Sequence, residues 1–174
     1  IRAAALYHDI GKISNPQCFT ENETPGVRYH EGLSPKESAQ EIIRHVSDGL
    51  ALADKYSVPG VLKDFIRSHH GTTCTAYFLT QYLNAGGDPE DTEAFYYKGM
   101  NPVTKEQVIL MLCDAVEAAS RSLKDYSEKS ISGLVDKIVV FEDFLQHFAF
   151  RDIVFAIELK GPGVEEETAG LLRK

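Results

Sequence analysis

His8-Asp9, His45, His69-His70 and Asp114 are the residues whose types and spacing could do chemistry. Imidazole and carboxylate together suit borderline and harder divalent metals such as Zn, Fe or Mn. Adjacent side chains on a helix point about 100° apart, so a neighbouring ligand pair diverges in a helix interior. Both adjacent pairs here lie close to a glycine, Gly11 or Gly71, at an expected helix end. The backbone can turn there and let the two side chains converge. A carboxylate next to a histidine can also bridge two ions, so the set fits a two-metal site better than a single tetrahedral one. Taken singly, each member also reads as structural: His69 follows Phe65 and Ile66 on an apolar stripe, and Asp114 suits a buried carboxylate paired with a neighbouring helix. The conjunction is what points to metal. His30, in an expected loop, and His147, near an expected helix end, have no partner in this pattern and are assigned to no ion.

The elements that must position these groups read as helices nearly throughout. Ser34-Pro35-Lys36-Glu37 combines a capping serine, a proline suited to the first helical position and a glutamate that closes a capping box. Ala39, Ile42, Ile43, Val46, Leu50 and Ala53 then recur at helical spacing, predicting a helix to about Tyr56 with His45 inside it. Pro59 opens a second helix with the stripe Leu62, Phe65, Ile66 and His69, stopped by Gly71. A shorter helix is expected over 73–83, and the segment 84–101, with four Gly or Pro residues and an acidic cluster, reads as a loop. Thr104 and Gln107 form another capping box ahead of Val108, Ile109, Leu112, Ala115, Val116 and Ala119, the most apolar helix, which carries Asp114. A later helix carries Leu134, Val135, Ile138, Leu145 and Phe148, and a last one is expected over 150–159. Nothing alternates with period two over strand length. The class is all-α, with one domain over 1–160 and a loosely held tail over 161–174.

Length and charge bound the function. At 174 residues, 43% of them hydrophobic and 25% charged, the chain suits one ordinary globular unit. Its 18 Lys and Arg against 26 Asp and Glu leave a net charge of −8, which argues against a DNA or RNA polymer as partner. An anionic substrate would need local help from placed cations or bound metal. Apolar runs such as Ile109-Leu110-Met111-Leu112-Cys113 are too short to span a bilayer, so a soluble piece is expected. Three cysteines without an even, closely spaced framework favour a reducing compartment. The chain opens at Ile1, inside an apolar segment, and reads as part of something longer.

His8-Asp9-Ile10-Gly11-Lys12 resembles the signature of the HD superfamily of metal-dependent phosphohydrolases. The wider run Leu6 to Ile13, then Asn15-Pro16, Glu21-Asn22, Leu33-Ser34-Pro35, His69-His70-Gly71-Thr72-Thr73 and Asp114 to Arg121, is similar to the cytoplasmic HD domain of the seven-transmembrane HD family. Known members of that family cleave cyclic di-AMP. The likeness covers most of residues 1 to about 138 and fades after Val139. It implies a helical HD bundle and a membrane-anchored parent, with this domain at the cytoplasmic face of the inner membrane. It implies one ion held by His8, Asp9 and Asp114 and a second by His45, His69 and His70, with Asp9 bridging; Fe or Mn is expected, with Zn as the third option. The family pattern has a further histidine about twenty residues upstream of the His-Asp pair, outside this sequence.

The implied reaction is hydrolysis of cyclic di-AMP to linear pApA by a hydroxide held between the metals, with Asp9 and Lys12 as the catalytic pair. Lys12 reads equally as a phosphate contact or an exposed side chain. Arg121 lies four residues after Glu117, good spacing for an ion pair, and seven after Asp114, where it could reach a substrate phosphate. Thr72 and Thr73 could line the pocket, though capping the next helix is the favoured reading. Tyr77, Phe78, Tyr82, Tyr96 and Tyr97 offer faces for adenine or for core packing. Three other functions stay open. One is cyclic di-GMP or nucleotide hydrolysis, although Gly71 is followed by Thr72-Thr73 and not by the Tyr-Pro of the HD-GYP type. The others are a nucleotide-sensing module without turnover and a purely structural domain.

Overall fold

The computed structural model describes residues 1–26 and 28–138, and the chain divides into two compact units, Ile1–Val103 and Thr104–Lys174. Among the described residues there are helices, 3-10 turns and one isolated antiparallel bridge, Cys74 with Tyr96, and no strand. The expected helix over 150–159, the tail over 161–174, Leu145, His147 and Phe148 lie outside the described residues.

The first unit is built on one long helix. Arg2–Tyr7 forms α1, and Pro35–Lys55 forms α2, followed by α3 (Gly60–Ser68) and α4 (Ala76–Asn84). Both bonds of the capping box at the start of α2 are made: Glu37 N–H donates to Ser34 Oγ and Ser34 N–H to the Glu37 carboxylate. The helix ends at Tyr56, after which Ser57 takes a left-handed φ of 53°. Its inner face buries Ser38, Ala39, His45, Gly49 and Ala53. Between α1 and α2 the described residues make four 3-10 turns, of which Ile10–Ser14 packs along α2.

That packing rests on two glycines. A Cβ on Gly11 would stand 1.8 Å from the His45 carbonyl oxygen and 2.5 Å from the Gly49 nitrogen. On Gly49 it would meet the Ile66 side chain at 3.1 Å and the Gly11 nitrogen at 3.3 Å. Backbone lies on backbone here, and only hydrogen leaves room. The contact brings Asp9, two residues earlier, beside His45.

The segment 84–101 is more ordered than its composition suggests. Phe95, in the 3-10 turn Glu93–Phe95, is fully buried, and the Tyr82 ring packs on it at 5.2 Å. Thr75 N–H donates to the Phe95 carbonyl at 2.8 Å and Tyr97 N–H to the Thr73 carbonyl at 2.9 Å. Because residues 73–75 serve this bridge, α4 starts at Ala76, three residues later than the periodicity predicts. Thr72 and Thr73 therefore do not cap it: Thr73 Oγ1 donates to the His70 carbonyl at 2.7 Å and Thr72 Oγ1 to Asn101 Oδ1 at 3.2 Å. The N-cap position is Thr75.

In the second unit Lys105–Ser120 forms α5, opened by the Thr104–Gln107 capping box, and Glu128–Ile138 forms α6. The two helices pack together, and Val108, Leu110, Val116 and Ile131 are buried.

Candidate metal centre

Asp9 stands at the turn between α1 and the 3-10 segment Ile10–Ser14, His45 on the buried face of α2, and His69-His70 immediately past α3. His69 still bonds as the last helical turn, its N–H to the Phe65 carbonyl at 3.1 Å, while Gly71 takes a left-handed φ of 54° that reverses the chain. Gly99 lies against this corner. A Cβ on it would stand 2.6 Å from the Gly71 oxygen and 2.7 Å from the Arg67 oxygen. The turn thus lets two adjacent imidazoles serve one point. Asp9, His45, His69 and His70 each offer a ligand atom, and these atoms lie within 4.8 Å of one another.

The hydrogen bonds orient the rings. His8, His45 and His69 each set Nδ1 against the carbonyl three residues earlier, at 3.0 Å from Ala5, 2.7 Å from Ile42 and 2.8 Å from Ile66. A ring that donates from Nδ1 to a carbonyl keeps its lone pair on Nε2, the arrangement in which backbone carbonyls orient metal-binding histidines. The Nε2 atoms of His45 and His69 face each other at 3.1 Å, and Asp9 Oδ1 lies 3.4 Å and 3.6 Å from them. Asp9 Oδ1 is buried without a hydrogen-bond partner. Three lone-pair atoms converging on one point repel unless a cation stands among them, and nitrogen with carboxylate oxygen is a donor set for Zn, Fe or Mn. The residues fit a divalent metal.

The protonation states agree with this. Burial holds the His45 imidazole down at about 4, despite the Ile42 carbonyl and the Asp9 charge that pull the other way, so at neutral pH the ring is uncharged. Burial alone would raise the Asp9 carboxyl. The neighbouring His69 and His8 imidazoles and the Lys12 charge outweigh it and hold Asp9 well below the usual carboxylate range.

The two oxygens of Asp9 point to different neighbours. Oδ1 faces His45 and His69, whereas Oδ2 lies 3.4 Å from His8 Nε2 and 2.9 Å from Lys12 Nζ. Lys12 is not the exposed side chain that one reading allowed. Its ammonium also meets Glu21 Oε1 at 2.7 Å and sits 4.9 Å from the centroid of the Phe19 ring. Phe19 in turn packs edge-on against His45 at 5.6 Å. Sequence reasoning gave no role to Glu21, or to Tyr97 as a support. Tyr97 is buried and stacks on His70 at 4.3 Å with 25° between the rings. Neither has a periodic signal, since each arrives from irregular chain.

Asp114 is half-buried on α5 in the second unit, and the neighbouring Cys113 thiol is pushed up by its own burial and then by the Asp114 charge. Arg121 ends α5 and donates to Glu117 at 2.6 Å, the ion-pair reading of that spacing. Thr73 joins His70, Tyr97, Ile42, Tyr77 and Phe78 around an open groove of about 270 Å³. His30 bonds the Cys18 carbonyl at 2.8 Å and packs on Tyr29 and Phe78.

Comparison with known proteins adds kinship to geometry. The family model described as HD domain matches residues 1–119. The chain is 37% identical over 151 residues to the cyclic-di-AMP phosphodiesterase PgpH of Bacillus subtilis and 34% identical over 139 residues to that of Listeria monocytogenes. These alignments take in 87% and 80% of this chain but 21% and 19% of those proteins, so it spans about a fifth of the length of the curated relatives it matches. The crystal structure of the L. monocytogenes PgpH HD domain has a TM-score of 0.73 at 30% identity, covering 99% of this chain and 75% of that one. The same domain in complex with cyclic-di-AMP has a TM-score of 0.75 at 29% identity, covering 98% and 76%.

Proposed function

This chain belongs to the HD domain family, and from that premise we propose that it is a metal-dependent phosphodiesterase hydrolysing cyclic di-AMP to linear pApA. The observation that carries the reading is the convergence of Asp9, His45, His69 and His70 on one point, with Asp9 Oδ1 buried and unbonded at its centre. The substrate is drawn from kinship to the two PgpH phosphodiesterases. In this proposal His45, His69, His70 and Asp9 hold one ion, and His8, Asp9 and Asp114 hold the other, with Fe, Mn or Zn as occupants. Divalent metals so bound supply Lewis acidity, lowering the pKa of water from about 15.7 toward about 7 and neutralising phosphate charge.

The chain's own residues have defined tasks. The carbonyls of Ala5, Ile42 and Ile66 keep three imidazoles in the ligating tautomer. Asp9 turns one oxygen to each ligand group, and its low pKa keeps both as anionic donors at neutral pH. Lys12, held between Asp9 and Glu21, puts a fixed positive charge at the edge of the cluster, where a phosphate oxygen would be attracted. Thr72, Thr73 and Arg121 are candidates for substrate contact, and the groove beside His70, lined by Tyr77 and Phe78, would accept a base.

The resemblance to the seven-transmembrane HD family carries with it a membrane-anchored parent and a cytoplasmic location. Among the described residues no helix is long and apolar enough to cross a membrane.

The test is elemental analysis of the chain purified without chelator, together with hydrolysis assays in Mn²⁺ on cyclic di-AMP and cyclic di-GMP. Stoichiometric metal and pApA as product are expected. Binding without turnover would make it a sensor, preference for cyclic di-GMP would reassign the substrate, and absence of metal would leave a structural helical domain.

A further inference from the structure

Lys12 brings a positive charge to within 2.9 Å of the carboxylate oxygen that faces His8, and an ammonium there competes with any cation for Asp9. A second carboxylate, Glu21 Oε1, holds the same ammonium at 2.7 Å. The side chains of Asp9, Lys12 and Glu21 are 26%, 22% and 27% exposed, so the three charges interact largely out of water and are weakly screened. Counted together they carry a charge of −1. Without Glu21 the count is zero, and Lys12 would neutralise Asp9 alone. Phe19, below the ammonium, adds an aromatic face but no formal charge.

We propose that Glu21 is a positioning residue: by drawing off and offsetting the Lys12 ammonium, it leaves the negative charge of Asp9 less engaged by Lys12 and available to a divalent cation. The inference rests on the metal reading above and assigns Glu21 no contact with substrate. It turns Lys12 into a group whose cost to metal binding is cancelled in advance, so its charge can serve the substrate.

The test is a charge-balance cycle read by Mn²⁺ titration calorimetry on the 174-residue chain, without substrate. Glu21→Gln, nearly isosteric, lowers Mn²⁺ affinity about tenfold, the order expected for one uncompensated charge a few ångströms away at intermediate dielectric. Lys12→Met raises affinity above that of the unaltered chain. The double variant, again carrying −1, returns to within about threefold of the unaltered chain. Circular dichroism on each variant confirms retained helix content. An unchanged affinity in Glu21→Gln overturns the proposal, as does an equal loss with and without Lys12, which is what a merely structural role produces. If the unaltered chain binds no Mn²⁺, the metal reading falls and this inference falls with it.

Discussion

Replacing Gly11 by alanine perturbs the centre without touching a ligand. The residue has no positive φ, so the need for glycine is one of space, not backbone conformation. The added Cβ would stand 1.8 Å from the His45 carbonyl oxygen, and contacts under 3.0 Å are essentially never seen, so something must retreat by about 1.2 Å or more. α2, six turns long and packed along its buried face, is the stiffer partner, and the 3-10 turn is what yields. Asp9 goes with it, and Oδ1 leaves its positions 3.4 Å from His45 and 3.6 Å from His69. Metal sites tolerate ligand displacements of about 0.2 Å, so a shift several times larger costs at least the 10–100-fold in affinity typical of a lost supporting contact. Overpacking costs a further ~1–3 kcal/mol of stability. Mn²⁺ titration calorimetry reads the first quantity and chemical denaturation with chelator reads the second. Gly60→Ala is the control, since a Cβ there meets nothing within 4 Å. A Gly11→Ala chain with unaltered metal affinity and stability would refute the argument that this contact seats Asp9.

Asp9→Ala removes the donor shared by both ligand groups. Mn²⁺ at a hundred times its Kd stabilises the unaltered chain by about 2.7 kcal/mol, and thermal unfolding of the variant is expected to show no such gain and no hydrolysis. Ser34→Ala deletes one half of the α2 capping box and costs about 1 kcal/mol, measured by urea unfolding; an unchanged midpoint would sink the assignment. Cys18, buried, has its thiol pushed up from 9.0 to about 11, chiefly by burial and then by the Glu41 charge. Its folded pKa exceeds the unfolded one, so the neutral thiol's contribution is complete below pH 9 and is lost as pH rises through about 11. Iodoacetamide labelling of Cys18 at pH 8 should run at least about a hundredfold slower in the folded chain than in urea, and equal rates would contradict the burial.

Kinship and local order were both legible in the residues. The capping boxes at Ser34 and Thr104 place α2 and α5 because a cap and its partner lie within four residues, and helical periodicity is equally local. The His-Asp and His-His pairs pointed to a candidate metal centre because glycine close by signals a backbone turn. What only the tertiary structure decided is long-range. The close approach of Gly11 to Gly49 spans almost forty residues and has no periodic trace, yet it is what puts Asp9 against His45. Phe95 and Tyr97 lie in a stretch whose Gly and Pro content reads as loop, but burial and a two-residue bridge outweigh local propensity and send one ring to the core and the other onto His70. The same bridge takes Thr72 and Thr73 away from the cap that their composition suggested. Glu21 belonged to the run that carries the family resemblance, but its place on Lys12 came only with folding, because a salt bridge is written in distance between side chains and not in their order along the chain.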